Sequence, residues 1–209
     1  MGRDTGPKCK LCRREGEKLF LKGAKCYTDK CPMERRPHPP GMRGRRRWSK
    51  KSQYAIHLRE KQKARRIYRV REEQFRRYVE LAKKKKGVTG DYLIQLLERR
   101  LDNVVYRAGL AGSRDQARQL IRHGHLMVNG RKVDIPSYLI KEGDVIAIRE
   151  NSAGKRGVKE ILEEAAARKG PIPSWLERED GRVRVVGWPD PAEVEHTIQT
   201  NLIVEFYSR

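Results

Sequence analysis

Every cysteine of this 209-residue chain, Cys9, Cys12, Cys26 and Cys31, falls within its first 31 residues. Two, thirteen and four residues separate them in turn. Two close pairs joined by a loop can each present two thiolates to one tetrahedral ion, the pattern of a structural zinc site. The constraint matters because the segment 1–47 has little else to fold around. Pro32, Pro37, Pro39, Pro40, Gly41 and Gly44 punctuate it, and it holds too few apolar residues to fold by burial alone. Lys8, Lys10, Arg13, Arg14, Lys25 and Lys30 surround the cysteines, where they favour thiolates and offset the double negative charge of a zinc ion held by four of them. Four thiolates leave no open position for water, so the expected ion organises the arm and performs no chemistry. An iron–sulfur cluster uses the same ligands, and spacing does not separate the two. Disulfides and four unconnected thiols are the other readings; a reducing compartment disfavours the first and the clustering disfavours the second.

The formal charge is +22, from 49 Lys and Arg against 27 Asp and Glu. Nearly all of the excess lies in one half: residues 1–100 hold 32 basic and 11 acidic side chains, and residues 101–209 hold 17 and 16. Solubility alone does not require such an asymmetry, whereas a polyanionic partner does, because each neutralised phosphate releases condensed counterions. No apolar run is long enough to cross a membrane, and the N-terminus has no apolar export stretch, so the expected compartment is the cytosol with no membrane partner.

Helical patterning begins near Ser52 and covers 54–68, then 72–85, where Phe75, Val79 and Ala82 recur at helical spacing until Gly87. A third helix over 91–100 carries the stripe Leu93, Leu96, Leu97 and Leu101, and a short one covers 102–107. Ser113 with Gln116 three residues on reads as a capping box for a helix over 114–122 that ends at Gly124. A strand over 126–128, the favoured hairpin turn Asn129-Gly130 and a return strand bearing Val133 and Ile135 follow. Val145–Ile148 forms a further strand, a helix runs from Gly157 to about Arg168, and two β segments are expected at Val183–Gly187 and Leu202–Phe206.

Within the helix over 114–122, Ala117, Leu120 and Ile121 share one side, while Arg114, Arg118 and Arg122 stack along another. Three guanidiniums in a row suit phosphate oxygens, although a solvated basic face is the bland alternative. His123, Arg131 and Lys132 extend this surface. In the basic half, the RNA-contact candidates are Arg3, Arg13, Arg14, Arg35, Arg36, Arg43, Arg45, Arg46 and Arg47 on the arm. The first long helix adds Arg59, Lys61, Lys63, Arg65, Arg66 and Arg69, whose charges point in several directions. Tyr54 and Trp48 offer rings for base stacking, with packing roles as the alternative.

The run Arg100-Leu101-Asp102-Asn103-Val104-Val105-Tyr106-Arg107, then Ser113-Arg114, Ala117-Arg118-Gln119-Leu120-Ile121, Gly124-His125 and Val128-Asn129-Gly130, closely resembles the small RNA-binding module of the bacterial ribosomal protein S-four family. The start Met1-Gly2-Arg3, the four cysteines, Arg59-Glu60-Lys61-Gln62-Lys63 with Arg65-Arg66, Lys85-Lys86-Gly87 and the end Leu202-Ile203-Val204-Glu205-Phe206-Tyr207-Ser208-Arg209 extend the likeness to nearly the whole chain, 150–195 being the vaguest part. The arm over 1–47 is expected to be irregular, basic and metal-bound, and the resemblance implies an α+β architecture around it: a mostly helical domain with C-terminal β segments from 48–98 and 166–209, and an inserted module over 99–165 with two helices and short antiparallel strands. It also implies a structural protein of the small (30S) ribosomal subunit. Such a protein binds 16S ribosomal RNA at a multi-helix junction of the 5′ domain, nucleates subunit assembly, touches ribosomal protein S-five at an interface linked to accuracy, and lies by the mRNA entry channel. Some members of the family repress their own mRNA.

Two rival classes deserve weight. Arg100-Leu101-Asp102 resembles the motif that carries the catalytic aspartate of one pseudouridine synthase class, but a structural role in the short helix explains Asp102 better, and the C-terminal sixty residues are too few for a catalytic domain. A free-standing regulator of structured mRNA is the other; DNA is disfavoured because no DNA-reading motif accompanies the basic arm.

Overall fold

The computed structural model describes residues 5–41, 52–166, 171–179, 181–194 and 198–208. The arm holds α1 (Lys8–Glu15), a 3-10 turn (Gly23–Tyr27) and α2 (Pro32–Arg35). Next come α3 (Gln53–Ile67), α4 (Glu72–Lys83), α5 (Thr89–Glu98), α6 (Leu101–Arg107) and α7 (Arg114–Arg122). Strands β1 (Leu126–Val128), β2 (Arg131–Lys132) and β3 (Val145–Ile148) follow, then α8 (Glu150–Ala153) and α9 (Arg156–Ala166). The chain continues through β4 (Leu176–Glu179), β5 (Arg182–Val185) and a 3-10 turn (Pro191–Glu193) to α10 (Thr200–Phe206). Among the described residues, no helix is long and apolar enough to cross a membrane.

The chain divides into two compact units, residues 1–93 with 195–209, and residues 94–194. In the first, α3 starts at Ser52, whose Oγ accepts from the Ala55 N–H at 3.3 Å, and α10 packs along it. Phe75, Val79 and Ala82 of α4 are buried at the spacing expected of them. The arm carries three helical turns where an irregular segment is expected. Its core is small: Leu19, Leu21, Cys12, Cys26 and Cys31 are buried.

One correction concerns the C-terminus. The segment expected as a β strand at Leu202–Phe206 is helix α10. Leu202, Ile203 and Val204 have β-favouring character locally, but only the helical period turns Ile203 into α3 while leaving Glu205 in solvent.

In the second unit, a five-stranded antiparallel sheet has the order β2-β1-β3-β5-β4. Helices α6 and α7 pack on each other, and Leu101, Val104, Val105, Leu120 and Ile121 join Leu126, Ile146 and Val183 in one core. The Asn129-Gly130 turn takes left-handed backbone at both residues, φ 49° and 76°, as a tight hairpin of right-twisted strands requires. The return strand is shorter than expected: it ends at Lys132, with Val133 packed on the core and Ile135 exposed. The β segment expected at Val183–Gly187 lies at Arg182–Val185, and β4 pairs beside it. Both strands extend the sheet of residues 94–194 through β3, so they belong with the module rather than with the helical part.

Candidate nucleic-acid interface

The arginine stripe of α7 divides into two kinds of residue. Arg114 and Arg118 are buried, 6% and 4% exposed, and only Arg122 faces solvent. Arg114 donates from Nε to Asn103 Oδ1 at 2.8 Å and lies over the Tyr106 ring, 4.4 Å from its centroid. Asn103 in turn donates to the Glu98 carboxylate at 2.9 Å, and Arg107 lies 3.2 Å from the same carboxylate. Asp102 accepts both Arg100 Nε, at 3.0 Å, and Arg100 Nη2, at 2.7 Å, while Arg118 Nη1 approaches it at 3.5 Å. Three guanidiniums, those of Arg100, Arg107 and Arg118, thus meet two buried carboxylates, and Arg114 is joined to Glu98 through Asn103. Burial pushes the Arg118 pKa down, Arg100 and Arg122 push the same way, and Asp102 opposes them. The expectation that Arg114 and Arg118 contact phosphate is therefore corrected: both side chains are buried inside the module, because α6 places Asn103 and Asp102 under that face of α7. Asp102 is held by the same network, so the Arg-Leu-Asp run has a structural role here.

The reciprocal half of the expected capping box is absent. Ser113 Oγ accepts from the Gln116 N–H at 3.3 Å, but the Gln116 side chain donates to Glu164 at 2.8 Å. Helix α7 ends as expected at Gly124, whose φ is 70°. A Cβ there would also stand 2.4 Å from Lys132 Cε, so the glycine lets the lysine stem cross the end of the helix.

Several exposed cations of the module meet at this corner. Arg122, His123, Arg131 and Lys132 are all exposed. Arg149 donates to the Gly124 carbonyl at 3.2 Å. His123 and His125 meet edge to face with centroids 5.9 Å apart, and His125 Nδ1 lies 3.0 Å from Ser152 Oγ. Burial lowers the His125 pKa, and Lys155, His123 and Arg149 lower it further. Arg149 and Lys155 are thus site residues that sequence reasoning missed. Arg149 follows β3, and its N–H pairs with the His125 carbonyl at 2.9 Å, a relation set by strand register alone.

In the first unit, most of the candidate cations on α3 are ion-paired. Arg59 lies 3.5 Å from Glu15, and Arg66 pairs with the same carboxylate. Lys61 is buried, 2.7 Å from Glu72 and over the Phe206 ring. Lys63 reaches Glu17 at 3.2 Å, and Arg65 reaches Glu72 at 3.1 Å. Lys61 is thereby corrected from RNA contact to packing, since its nitrogen has a carboxylate and an aromatic face as its surroundings. Arg14, Arg35 and Arg36 are exposed, and Arg13 donates from Nε to the His38 carbonyl at 2.9 Å. Tyr54 is 55% exposed and rests on Phe206 at 5.8 Å, which leaves ring surface in solvent. Exposed Arg76, Arg77, Lys83, Lys84, Lys85 and Lys86 add charge not anticipated as contacts. Arg3, Arg43, Arg45, Arg46, Arg47 and Trp48 lie outside the described residues.

All four cysteines are free, with Cys12, Cys26 and Cys31 buried and Cys9 partly so. Among the described residues, no group of three or more His, Cys, Asp or Glu side chains is arranged to hold a metal. Burial pushes the Cys12 thiol up to about 11; a backbone hydrogen bond at Leu19 opposes, and the neighbouring Cys26, Cys9 and Cys31 raise it further. The Lys22 N–H donates to Cys26 Sγ at 3.3 Å.

Residues 3–98 match the family described as Ribosomal protein S4/S9 N-terminal domain, and residues 99–146 match the S4 domain. The chain is 57% identical over 211 residues to small ribosomal subunit protein uS4A of Symbiobacterium thermophilum, with both chains covered completely. It is 56% identical to uS4 of Pelotomaculum thermopropionicum and 54% identical to uS4 of Thermus thermophilus, again over the full length of each. The chain belongs to the small ribosomal subunit protein uS4 family. Members of the uS4 family are structural rather than catalytic proteins of the small ribosomal subunit, located in the ribosome in the cytoplasm. Within this uS4-family chain, the S4-domain match begins at Arg99, directly before the buried Arg100–Asp102 pair, and its end at Ile146 takes in both α7 and the basic hairpin.

Proposed function

We propose that this chain is a primary 16S rRNA-binding protein of the small subunit, which holds the 5′ domain junction and nucleates assembly. The carrying observation is the exposed basic corner where α7 ends: Arg122, His123, Arg131 and Lys132, with Arg149 and Lys155 beside them. Guanidinium and ammonium groups on a rigid helix–hairpin frame suit phosphate oxygens of structured RNA, which is read by shape and backbone more than by base edges. Contact with ribosomal protein S-five, a part in translational accuracy and a place beside the mRNA entry channel belong to the same proposal. A salt titration of binding to a folded 16S 5′-domain RNA, beside an unrelated folded RNA of equal length, tests it. Preference for the ribosomal fragment that persists as salt rises is expected. Equal affinities lost together would reduce the chain to a general polyanion binder.

The four cysteines are proposed to hold a structural ion, zinc or an iron–sulfur cluster, through Cys9, Cys12, Cys26 and Cys31. The burial of three thiols and the N–H donor to Cys26 Sγ support this reading. Such an ion supplies a crosslink between α1 and the loop that follows, and no reaction. Elemental analysis of the purified full-length protein should find about one zinc, or the iron and sulfide of one cluster, per chain, and chelation should loosen the arm to protease. A metal-free protein whose arm is indifferent to chelator would sink the idea.

A further inference from the structure

Helix α3 ends at Ile67, and the next three residues close it. The Val70 N–H donates to the Arg65 carbonyl at 3.0 Å, and the Arg69 N–H donates to the Arg66 carbonyl at 3.3 Å. The first of these is the six-to-one bond of a Schellman closure, with Arg69 at the left-handed position, φ 55°. Glycine usually fills that position, because a Cβ is crowded there. An arginine kept in backbone that glycine would adopt more cheaply points to use of its side chain.

The same turn frames a cavity of about 420 Å³ whose charged lining is Arg65, Arg66, Arg69 and Arg71 with Glu72 and Glu73. Glu72 is turned to other partners: Lys61 Nζ at 2.7 Å, Arg65 Nη1 at 3.1 Å and Tyr207 OH at 2.7 Å. Burial would raise its pKa, but hydrogen bonds from Lys61 and Tyr207 outweigh that and hold it below the ordinary range. Its charge is thus shared by two cations, and the cavity remains an arginine-rich, electropositive recess. Arg71, the residue before α4, is exposed at its rim.

We propose that the α3–α4 corner is a discrete site for one phosphodiester group of RNA, gripped by Arg69 and Arg71 with Arg65 forming its wall. A guanidinium offers paired N–H donors matched to the two non-bridging oxygens, and two such forks at a recess fix position as well as charge. The site rests on the RNA-binding reading and specifies it on the helical unit. Inorganic phosphate presents the same oxyanion, so the experiment separates the two sources.

Full-length wild type, Arg69→Gly, Arg69→Asn and Arg71→Ala are titrated against the 5′-domain RNA and an unrelated folded RNA at several salt concentrations. The wild-type series is repeated with inorganic phosphate at constant ionic strength. Each substitution should lower affinity severalfold and reduce the salt slope by about 0.7–0.9, one phosphate contact. Gly and Asn both accept left-handed backbone, so the melting temperature of the two Arg69 variants should stay within about 3 °C of wild type. Unchanged affinity and slope in Arg69→Gly and Arg71→Ala would overturn the site. Phosphate that lowers wild-type affinity to the variants' level, and leaves the variants alone, would assign the corner to the free anion instead. If wild type binds both RNAs equally, the rRNA reading fails while the corner is still judged by the loss common to both. Binding to neither overturns both.

Discussion

Asp102→Ala is expected to unfold much of the unit spanning 94–194. Asp102 is 3% exposed, and its carboxylate engages both Arg100 and Arg118. Arg100 is completely buried and Arg118 nearly so. Removing the acid takes a counter-charge from two guanidiniums held away from water, a change that costs about 3–5 kcal/mol in buried pairs. Domains are stable by about 5–15 kcal/mol, so such a loss consumes a large share of the total. Arg118 Nε already lacks a hydrogen-bond partner among the described residues, so no spare acceptor stands ready to compensate. Arg118→Met should be milder, because it removes a buried charge and keeps an apolar stem. Urea unfolding followed by the fluorescence of Trp175, buried in this core, and Trp188 reads the effect. A midpoint for Asp102→Ala equal to wild type would mean that the network is ornamental to stability.

The second large effect separates α7 into its two kinds of arginine. Replacing Arg122, Arg131 and Lys132 together by Ala should leave the fold intact, since all three are exposed. It should flatten the salt dependence of RNA binding by about 2–3 and weaken binding on the order of a hundredfold at low salt. Arg114→Ala should behave in the opposite way. It should lower the melting temperature, because it strips Asn103 Oδ1 of its donor and uncovers the Tyr106 ring. Its salt slope, measured on the folded fraction, should match wild type. If Arg114→Ala instead flattens the slope while the fold stays firm, the buried assignment is wrong and the continuous stripe is restored. If the triple variant binds as wild type, the corner at Gly124 is not the RNA surface of this module.

These expectations diverge from those drawn along the chain for a definite reason. Arg114, Arg118 and Arg122 share one helical face at four-residue spacing, and spacing says only that they share it. Whether that face meets water depends on α6, which brings Asp102, Asn103 and, at the end of α5, Glu98 beneath its first two positions. The same holds for α3. Its cations read as a basic helix in one dimension, but Glu15 of the arm and Glu72 of α4 arrive from elsewhere and engage Arg59, Lys61, Arg65 and Arg66. Arg149 and Lys155 reach the Gly124 corner because β3 runs beside β1, a pairing that local patterning leaves open.

Features carried by neighbouring residues alone were legible from the sequence. Ser113 caps α7, Gly124 closes it in left-handed backbone, and Asn129-Gly130 makes the hairpin, because in each case the bond or the allowed φ belongs to residues at most three apart. The periodic burial of Phe75, Val79 and Ala82 was legible for the same reason. The order of motifs along the chain was enough to indicate the uS4 family. Tertiary structure decided the rest: that Leu202–Phe206 is a helix laid on α3, that β4 and β5 join the module's sheet, and which arginines are buried against carboxylates and which are exposed. A charge is visible in a sequence, but its counter-charge is chosen by whatever the fold packs against it.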